Sequence, residues 1–353
     1  MFKLNNKHSY LIILLYFLCL TNCTDKGLSD VDTDFPMSSV IMSADSINLE
    51  EKGLLLPFSV SYIDSCFIFS NIRIKDRLSI WNQKNNEVIN TAHIGNGPNE
   101  IIQYLPVSNN MSEFLFADRI KGKIFKLDLN SYEYKQIIQI NESINRFYSL
   151  AMLDSTSIIG TGMFEQGRFL IYNIADSTYV YEYEYPSDKD IQPLQPYQKA
   201  ALYAGTLIGV HPDKNKFVAA YKGLIDFYNI DESYNLSSSA HRYYHFPQFA
   251  IPKEGPVIAH KKEEAVGFLS LAYDASYVYL LYASSSLLGK GSSAYTSNTI
   301  LVYNWEGMPV KRYVLNHSVI SIHVSNNMLW CIGENHKSVS YTHLRAHETD
   351  SYL

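Results

Sequence analysis

Apolar residues in this chain come in short runs, each closed by a polar or glycine-containing break. One phrase recurs five times: an apolar run ending in an aromatic residue or Leu, then Asn or Asp. It reads Leu78–Asn82, Ile124–Asp128, Phe169–Asn173, Ile225–Asn229 and Ile300–Asn304. Each copy follows another apolar run across a short break. Runs of this kind, rich in β-branched and aromatic residues and bounded by turn residues, predict strands. A strand–turn–strand unit cannot bury both of its own faces. Repetition lets neighbouring units bury each other.

Grouped this way, the chain divides into four-strand sets. The first is Pro57–Tyr62, Cys66–Asn71, Arg77–Asn82 and Val88–His93. The second is Ile102–Val107, Glu113–Asp118, Gly122–Leu129 and Lys135–Ile140. The third is Phe147–Met152, Thr156–Thr161, Gly167–Ile174 and Thr178–Tyr185. The fourth is Ala204–Val210, Lys216–Tyr221, Gly223–Ile230 and a weaker strand near Arg242–Phe246. The fifth is Val266–Tyr273, Ser276–Ala283, Asn298–Trp305 and Pro309–Leu315. A sixth opens with Val319–Val324 and Met328–Gly333. Inner runs such as Phe169–Ile174 show no polar alternation, so both sheet faces must be covered. A two-sheet sandwich would leave one face of each sheet wet. The pattern therefore predicts an all-β, six-bladed propeller of four-stranded antiparallel blades over residues 37–337.

Copies of the phrase lie 46, 45, 56 and 75 residues apart. The longer gaps hold insertions at Pro186–Tyr203 and Ser233–Glu264, and Ser284–Ser297 interrupts blade five. Loops of this length in a compact fold are often functional. Asp45–Leu49 is placed to close the ring onto blade six and remove an exposed edge. The sixth copy of the phrase is missing. Residues 338–353 instead resemble a tail that recurs on unrelated predicted proteins and looks like translated adapter sequence. On that reading the tail is non-native, and the last blade is truncated, short of an inner strand and left with an open edge.

Apolar residues make up 46% of the 353-residue chain, with 28 Tyr and 17 Phe. This suffices for one large β domain. The formal charge is −6 without a basic block. Lys121, Lys123 and Lys126 read as a solvated strand edge, which argues against nucleic acid as a partner. At the N-terminus, Lys3 and Lys7 precede an apolar stretch, Tyr10–Leu20, too short to span a bilayer but suited to a signal peptide. Leu20-Thr21-Asn22-Cys23 resembles a lipoprotein cleavage box. Residues 1–23 then form the signal, Cys23 is the acylated residue and the membrane anchor, and the polar residues 24–36 form a flexible stalk. Cys66 and Cys331 sit inside apolar strands and are expected as buried free thiols.

His93-Ile-Gly95-Asn96-Gly97-Pro98-Asn99-Glu100 resembles the Gly-x-Gly-Pro-Gly-Glu segment of TolB-like six-bladed propeller lipoproteins of Bacteroidetes. The resemblance spans about residues 36–337. Gly95, Gly97, Pro98 and Glu100 match the family turn; Asn99 replaces a Gly and is expected to adopt the left-handed conformation in its stead. What the resemblance implies is an envelope-associated propeller, periplasmic or on the outer membrane, without an assigned catalytic set.

Individual candidates point to structure more than to chemistry. His241 and His245 would be about 13 Å apart on a strand at ~3.3 Å per residue, too far for one ion. His211-Pro212-Asp213 reads as a turn. Asp30, Asp32 and Asp34 lack the Gly of a calcium loop and read as stalk. Asp118, Asp226 and Asp274 are candidates for an axial site, with backbone satisfaction as their commoner role. Tyr197, Tyr203, Tyr243, Tyr244 and Phe249 form a candidate binding surface on the insertions. The leading expectation is a monomeric, non-catalytic binding or scaffold lipoprotein for a glycan, peptide or envelope protein, with no metal and no cofactor. Its rival is a propeller hydrolase or lyase with a metal or carboxylate site in the axial channel. Convergent Asp, Glu, His and Asn at the axis would favour the enzyme; a lining of Ser, Tyr and backbone would favour binding.

Overall fold

The computed structural model describes residues 28–35, 39–42, 45–71, 75–108, 113–212, 215–252 and 258–344. The signal segment, Cys23, Asp213 and the last nine residues lie outside these. Two N-terminal strands, β1 (Ser39–Met42) and β2 (Asp45–Asn48), precede the blades. Blade one is β3 (Pro57–Ile63), β4 (Cys66–Asn71), β5 (Asp76–Asn82) and β6 (Glu87–His93). Blade two is β7 (Tyr104–Ser108), β8 (Phe114–Asp118), β9 (Lys123–Leu127) and β10 (Tyr134–Gln139). Blade three is β11 (Phe147–Met152), β12 (Ser157–Gly162), β13 (Phe169–Asn173) and β14 (Tyr179–Glu182). Blade four is β15 (Leu207–Val210), β16 (Lys216–Tyr221), β17 (Leu224–Ile230) and β18 (Leu236–Tyr243). A small hairpin, β19 (Phe249–Ala250) with β20 (Ala259–His260), precedes β21 (Ala265–Tyr273), β22 (Tyr277–Ser286) and β23 (Ser297–Asn304) of blade five. β24 (Pro309–Ser325) is the outer strand of blade five and runs on as the inner strand of blade six, followed by β25 (Met328–Gly333) and β26 (Ser338–His343).

β4 shows why the fold is a ring. Every residue of it is buried, because successive side chains point to opposite faces and both faces are covered. Phe67 and Phe69 pack toward blade six, against Trp330 and Ile332. Cys66 and Ile68 pack toward blade two, against Phe116 and Phe125. The same arrangement repeats around the circle. Leu115 and Ile124 meet Ile158 and Leu170 between blades two and three. Phe169 meets Phe217 and Tyr228 between three and four. Phe227 meets Leu280 and Tyr303 between four and five, and Leu281 and Val302 meet Ile322 and Leu329 between five and six. Each buried aromatic or aliphatic side chain contributes about 1.5–3 kcal/mol.

The ring closes as Asp45–Leu49 foretold. β2 pairs antiparallel with β26, Ile47 opposite Val339, and Val339 is fully buried between blades six and one. The expected gap in blade six is therefore corrected. Ser338–His343 pairs with β25 and supplies the third strand, and β2 covers its outer edge. The alternating Ser338-Val339-Ser340 carries no terminal Tyr-Asn or Leu-Asp, so the recurrent phrase does not mark it. β1 adds something the pattern did not foretell: it lies parallel to the outer edge of blade five, Ser39 opposite Arg312.

Part of the expected stalk is also corrected. Val31–Asp34 forms a short helix capped by Asp30, whose carboxylate accepts from the Thr33 N–H at 2.9 Å. Phe35 is buried edge-on against Tyr303. Asp32 pairs with Arg312 at 2.6 Å, and Asp34 accepts from the Tyr244 hydroxyl at 2.8 Å. Burial of one Phe holds residues 28–35 to the outer rim of blades four and five.

Antiparallel blades sort their connections. Links from the second to the third strand, and from one blade to the next, fall on one face of the ring; the remaining turns fall on the other. Pro186–Tyr203, Ser284–Ser297 and the part of Ser233–Glu264 that follows β18 therefore share a face with the Gly95–Glu100 segment. We call this the insertion face and the opposite one the turn face.

Phe67→Ala should cost about 3–5 kcal/mol in urea unfolding, as for a large buried aromatic. A loss below 1 kcal/mol would contradict the closed ring. Removing residues 1–48 should expose the β26 edge and cause self-association on size-exclusion chromatography.

Candidate functional site

The six inner strands surround an axial cavity of about 350 Å³. Its polar lining is mainly hydroxyl, from Ser61, Ser149, Ser270, Ser321 and Ser325, with Tyr62, Tyr104 and Tyr148. Near the turn face, Ser108 of blade two and Tyr273 of blade five share a hydrogen bond of 2.6 Å. These blades are opposite in a ring of six, so the bond crosses the axis. The lining of this well runs from Phe58 and Tyr148, toward the insertion face, to Ile63 and Ser325, toward the turn face.

Apart from its tyrosines, two ionisable residues reach the well. Glu113 is paired with Lys126 at 2.6 Å. His323 has its Nε2 buried without a hydrogen-bond partner. Burial holds its imidazole down at about 4, with the Tyr62 backbone opposing. No group of three or more His, Cys, Asp or Glu able to hold a metal occurs among the described residues.

The three candidate carboxylates are committed elsewhere. Asp118 is fully buried and accepts from the N–H groups of Ile102 and Ile120 at 2.8 and 3.0 Å. Asp274 caps its turn through Ser276 and Tyr277. Asp226 pairs with Arg168 at 2.5 Å and accepts from Tyr243 at 2.6 Å. Arg168 is 1% exposed and sits between blades three and four. Burial would lower its guanidinium, but Asp226 more than offsets this and holds it further up.

Gly95, Gly97, Pro98 and Glu100 build a clasp. The Glu100 N–H bonds the Gly97 carbonyl, making a turn with Pro98 at its second position. The Glu100 carboxylate folds back to accept from the Gly97 N–H at 2.7 Å. A Cβ on Gly95 would lie 2.1 Å from that carboxylate, so a side chain there would displace Glu100 from the clasp. Lys121 of blade two donates to the carbonyls of Gly97 and Glu100, both at 2.7 Å. It is thus a half-buried fastener and not a solvated edge residue. Asn99 does not have positive φ, so the expectation of a left-handed Asn99 is corrected; a turn with both central residues at negative φ accommodates Asn.

The candidate aromatic surface is dispersed. Tyr203 and Tyr244 are buried, and Tyr243 is held by Asp226. Phe249 packs against a core under the insertions, with Tyr185, Ile191 and Leu202. The helix Pro196–Tyr203 was not foreseen, and it turns Tyr203 inward while leaving Tyr197 exposed. Tyr203, Tyr243 and Phe249 pack the insertions down and Tyr244 packs between blades four and five, which corrects the surface reading for all but Tyr197. His245 is half-buried, and its imidazole is held down, first by desolvation. His241 lies opposite Asp226 in the strand pairing, and the His211 Nε2 lies 3.1 Å from the Ala275 carbonyl. Cys66 and Cys331 are buried free thiols in different cores.

Two features have no signal in the spacing of residues. In one, Glu264 is 4% exposed, with Lys222 Nζ and His260 Nδ1 at 3.3 and 3.4 Å. Burial pushes this carboxyl up, but His260, Lys222 and the Gln248 N–H outweigh it and hold it below the usual range. The other is a cavity of about 310 Å³ on the insertion face, lined by Arg119, Arg146, Tyr148, Met163, Glu165 and Tyr197. It shares Tyr148 with the well. Their members come from distant segments, so only the fold assembles them.

A match to the family described as TolB-like 6-blade propeller-like covers residues 34–327. The chain belongs to this family. Among solved structures, a structural genomics protein of unknown function from Bacteroides thetaiotaomicron is 10% identical, with a TM-score of 0.52. The alignment covers 86% of this TolB-like chain and 74% of that one. Hydrazine synthase of Kuenenia stuttgartiensis is 10% identical with a TM-score of 0.44, over 82% of this chain and 95% of that one. At such identity the likeness to the Bacteroides protein concerns the fold alone. No curated protein matches.

Removing one partner of the Arg168–Asp226 pair leaves a buried charge. Asp226→Leu should cost about 3–5 kcal/mol, and Arg168→Met with Asp226→Leu should recover much of it. Denaturant unfolding of the single and double variants checks this; a double variant as unstable as the single would contradict it. His323 gives a pH dependence. Between pH 6.5 and about 4, the unfolded chain holds a proton that the folded chain refuses. Stability therefore falls as pH drops through that window, by about 3 kcal/mol from this residue. His323→Met should flatten that part of the stability profile.

Proposed function

We propose that this chain is a lipid-tethered binding or scaffold module of the bacterial cell envelope, receiving a glycan, peptide or envelope protein at its insertion face. The hydroxyl- and aromatic-lined well carries this reading. Ser and Tyr groups can hydrogen-bond and stack on a ligand. The rival hydrolase or lyase reading needs carboxylates and His converging in the well. The Asp candidates are held in turns and in the Arg168 pair instead. The TolB-like family is typically periplasmic or envelope-associated, which supports an envelope location. Tethering through Cys23 would leave five residue steps to Leu28, at most about 18 Å of extended chain. Because residues 28–35 are docked on the rim, such an anchor would hold the ring close to the membrane. We place the protein on the periplasmic side or as an outer-membrane lipoprotein, and as a monomer.

A thermal-shift screen against envelope glycans, peptides and divalent cations tests the binding reading. At least one glycan or peptide should raise the Tm of the wild type, and Ser61→Phe, which narrows the well, should abolish the shift. Stabilisation by a divalent cation alone, or turnover of a bound compound, would favour the enzyme.

A further inference from the structure

The cleft beside the insertion-face end of the well has its own chemistry. The Arg119 guanidinium lies 3.8 Å over the Tyr148 ring, which fixes that ring and leaves it 37% exposed. The Tyr148 hydroxyl is 3.9 Å from the Met163 sulfur. Across the cleft, Tyr197 projects from the insertion helix and is 39% exposed, as is Met163 at 38%. Arg146 is exposed and has no hydrogen-bonded or ion-paired side-chain partner among the described residues. Glu165 is the one carboxylate in the lining. Two guanidinium groups against one carboxylate leave a local charge of about +1, on a chain whose formal charge is −6.

We infer that this cleft binds a ring-borne carboxylate, with Arg146 pairing the carboxylate and the Tyr148, Tyr197 and Met163 surfaces holding the ring. Arg presents a planar fork that matches a carboxylate bidentately. Tyr rings offer flat apolar faces at low entropic cost. A cavity of about 310 Å³ is at the small end for ligand sites, so it suits one or two rings and not a folded partner. Glu165 disfavours a second negative charge, which sets phosphate esters and dicarboxylates aside. An acidic sugar and an aromatic acid share this chemistry. The inference rests on the insertion face being a binding face, but not on the well.

Isothermal titration of the full chain at low salt, with D-glucuronate and 4-hydroxybenzoate as probes, tests it. At least one acid should bind, and its methyl ester should bind at least tenfold more weakly. Arg146→Ala should reduce affinity at least tenfold, and Arg146→Lys by less. Tighter binding of glucuronate assigns an acidic sugar; tighter binding of 4-hydroxybenzoate assigns an aromatic acid. Each variant is first matched to the wild type in Tm. Binding of neither acid, or binding indifferent to Arg146→Ala, overturns the proposal. Ser61→Phe should leave this binding intact. Its retention, alongside a well that takes no ligand, would overturn the reading of the well and leave the cleft standing.

Discussion

Each sheet in this protein has two apolar faces, and neither can remain in water. That constraint dictates the rest. β4 is buried along its whole length, so blade one needs a neighbour on both sides, and so does every blade after it. The requirement ends only when the last blade reaches the first. Here closure depends on β2, a segment remote from blade six in sequence, which pairs with β26 and brings Ile47 opposite Val339. The N-terminal segment thus does structural work from the first described residues. It docks Phe35 at blades four and five, lays β1 along blade five, and finishes blade six. An open chain of blades would expose Phe67, Phe69, Trp330 and Ile332 together, an apolar patch that a monomer rarely tolerates.

Closure also separates stability from function. Six inter-blade cores hold the ring, so the links between strands are free to vary. Antiparallel connectivity then sends every long link to the same face. The turn face keeps short connections, and the Ser108–Tyr273 bond crosses the axis there. Chain growth by insertion therefore enriches one face and leaves the other plain. The well, the clasp of Gly95–Glu100 and the Arg–Tyr cleft are neighbours for this topological reason.

Much of the ring was legible in the sequence because strand burial leaves a direct trace. Phe147–Met152, Lys216–Tyr221 and Met328–Gly333 were bounded as they occur, since apolar runs between turn residues leave little freedom. Elements whose sequence signal is mixed were misread. Leu236–Tyr243 begins with Leu-Ser-Ser-Ser on an outer edge, where polar residues are tolerated. Ser338–His343 alternates without the closing phrase, and the helix Pro196–Tyr203 has only a weak apolar stripe. The candidate site was less legible. Tyr203, Tyr243, Tyr244 and Phe249 looked like surface because they sit in insertions, yet an insertion of this length needs a core of its own; Tyr203, Tyr243 and Phe249 provide it, and Tyr244 joins the core between blades four and five. Arg119, Arg146 and Tyr197 carry no local pattern, and proximity came only from the fold.

The contrast between well and cleft bears on what kind of ligand the face can accept. Hydroxyl groups in the well can donate or accept with little electrostatic bias, so the well discriminates by shape. Charge enters at the rim, where Arg119 and Arg146 stand in higher dielectric and are screened by salt beyond about 8–10 Å. A rim charge mainly steers and orients an incoming group, and buried contacts set how long it stays. An acidic group held by Arg146 would leave the body of a longer ligand directed toward Tyr148, the residue common to both cavities. On the proposed reading, orientation at the rim and selection by shape in the well would be successive steps along one path, linked by a single tyrosine whose position Arg119 fixes.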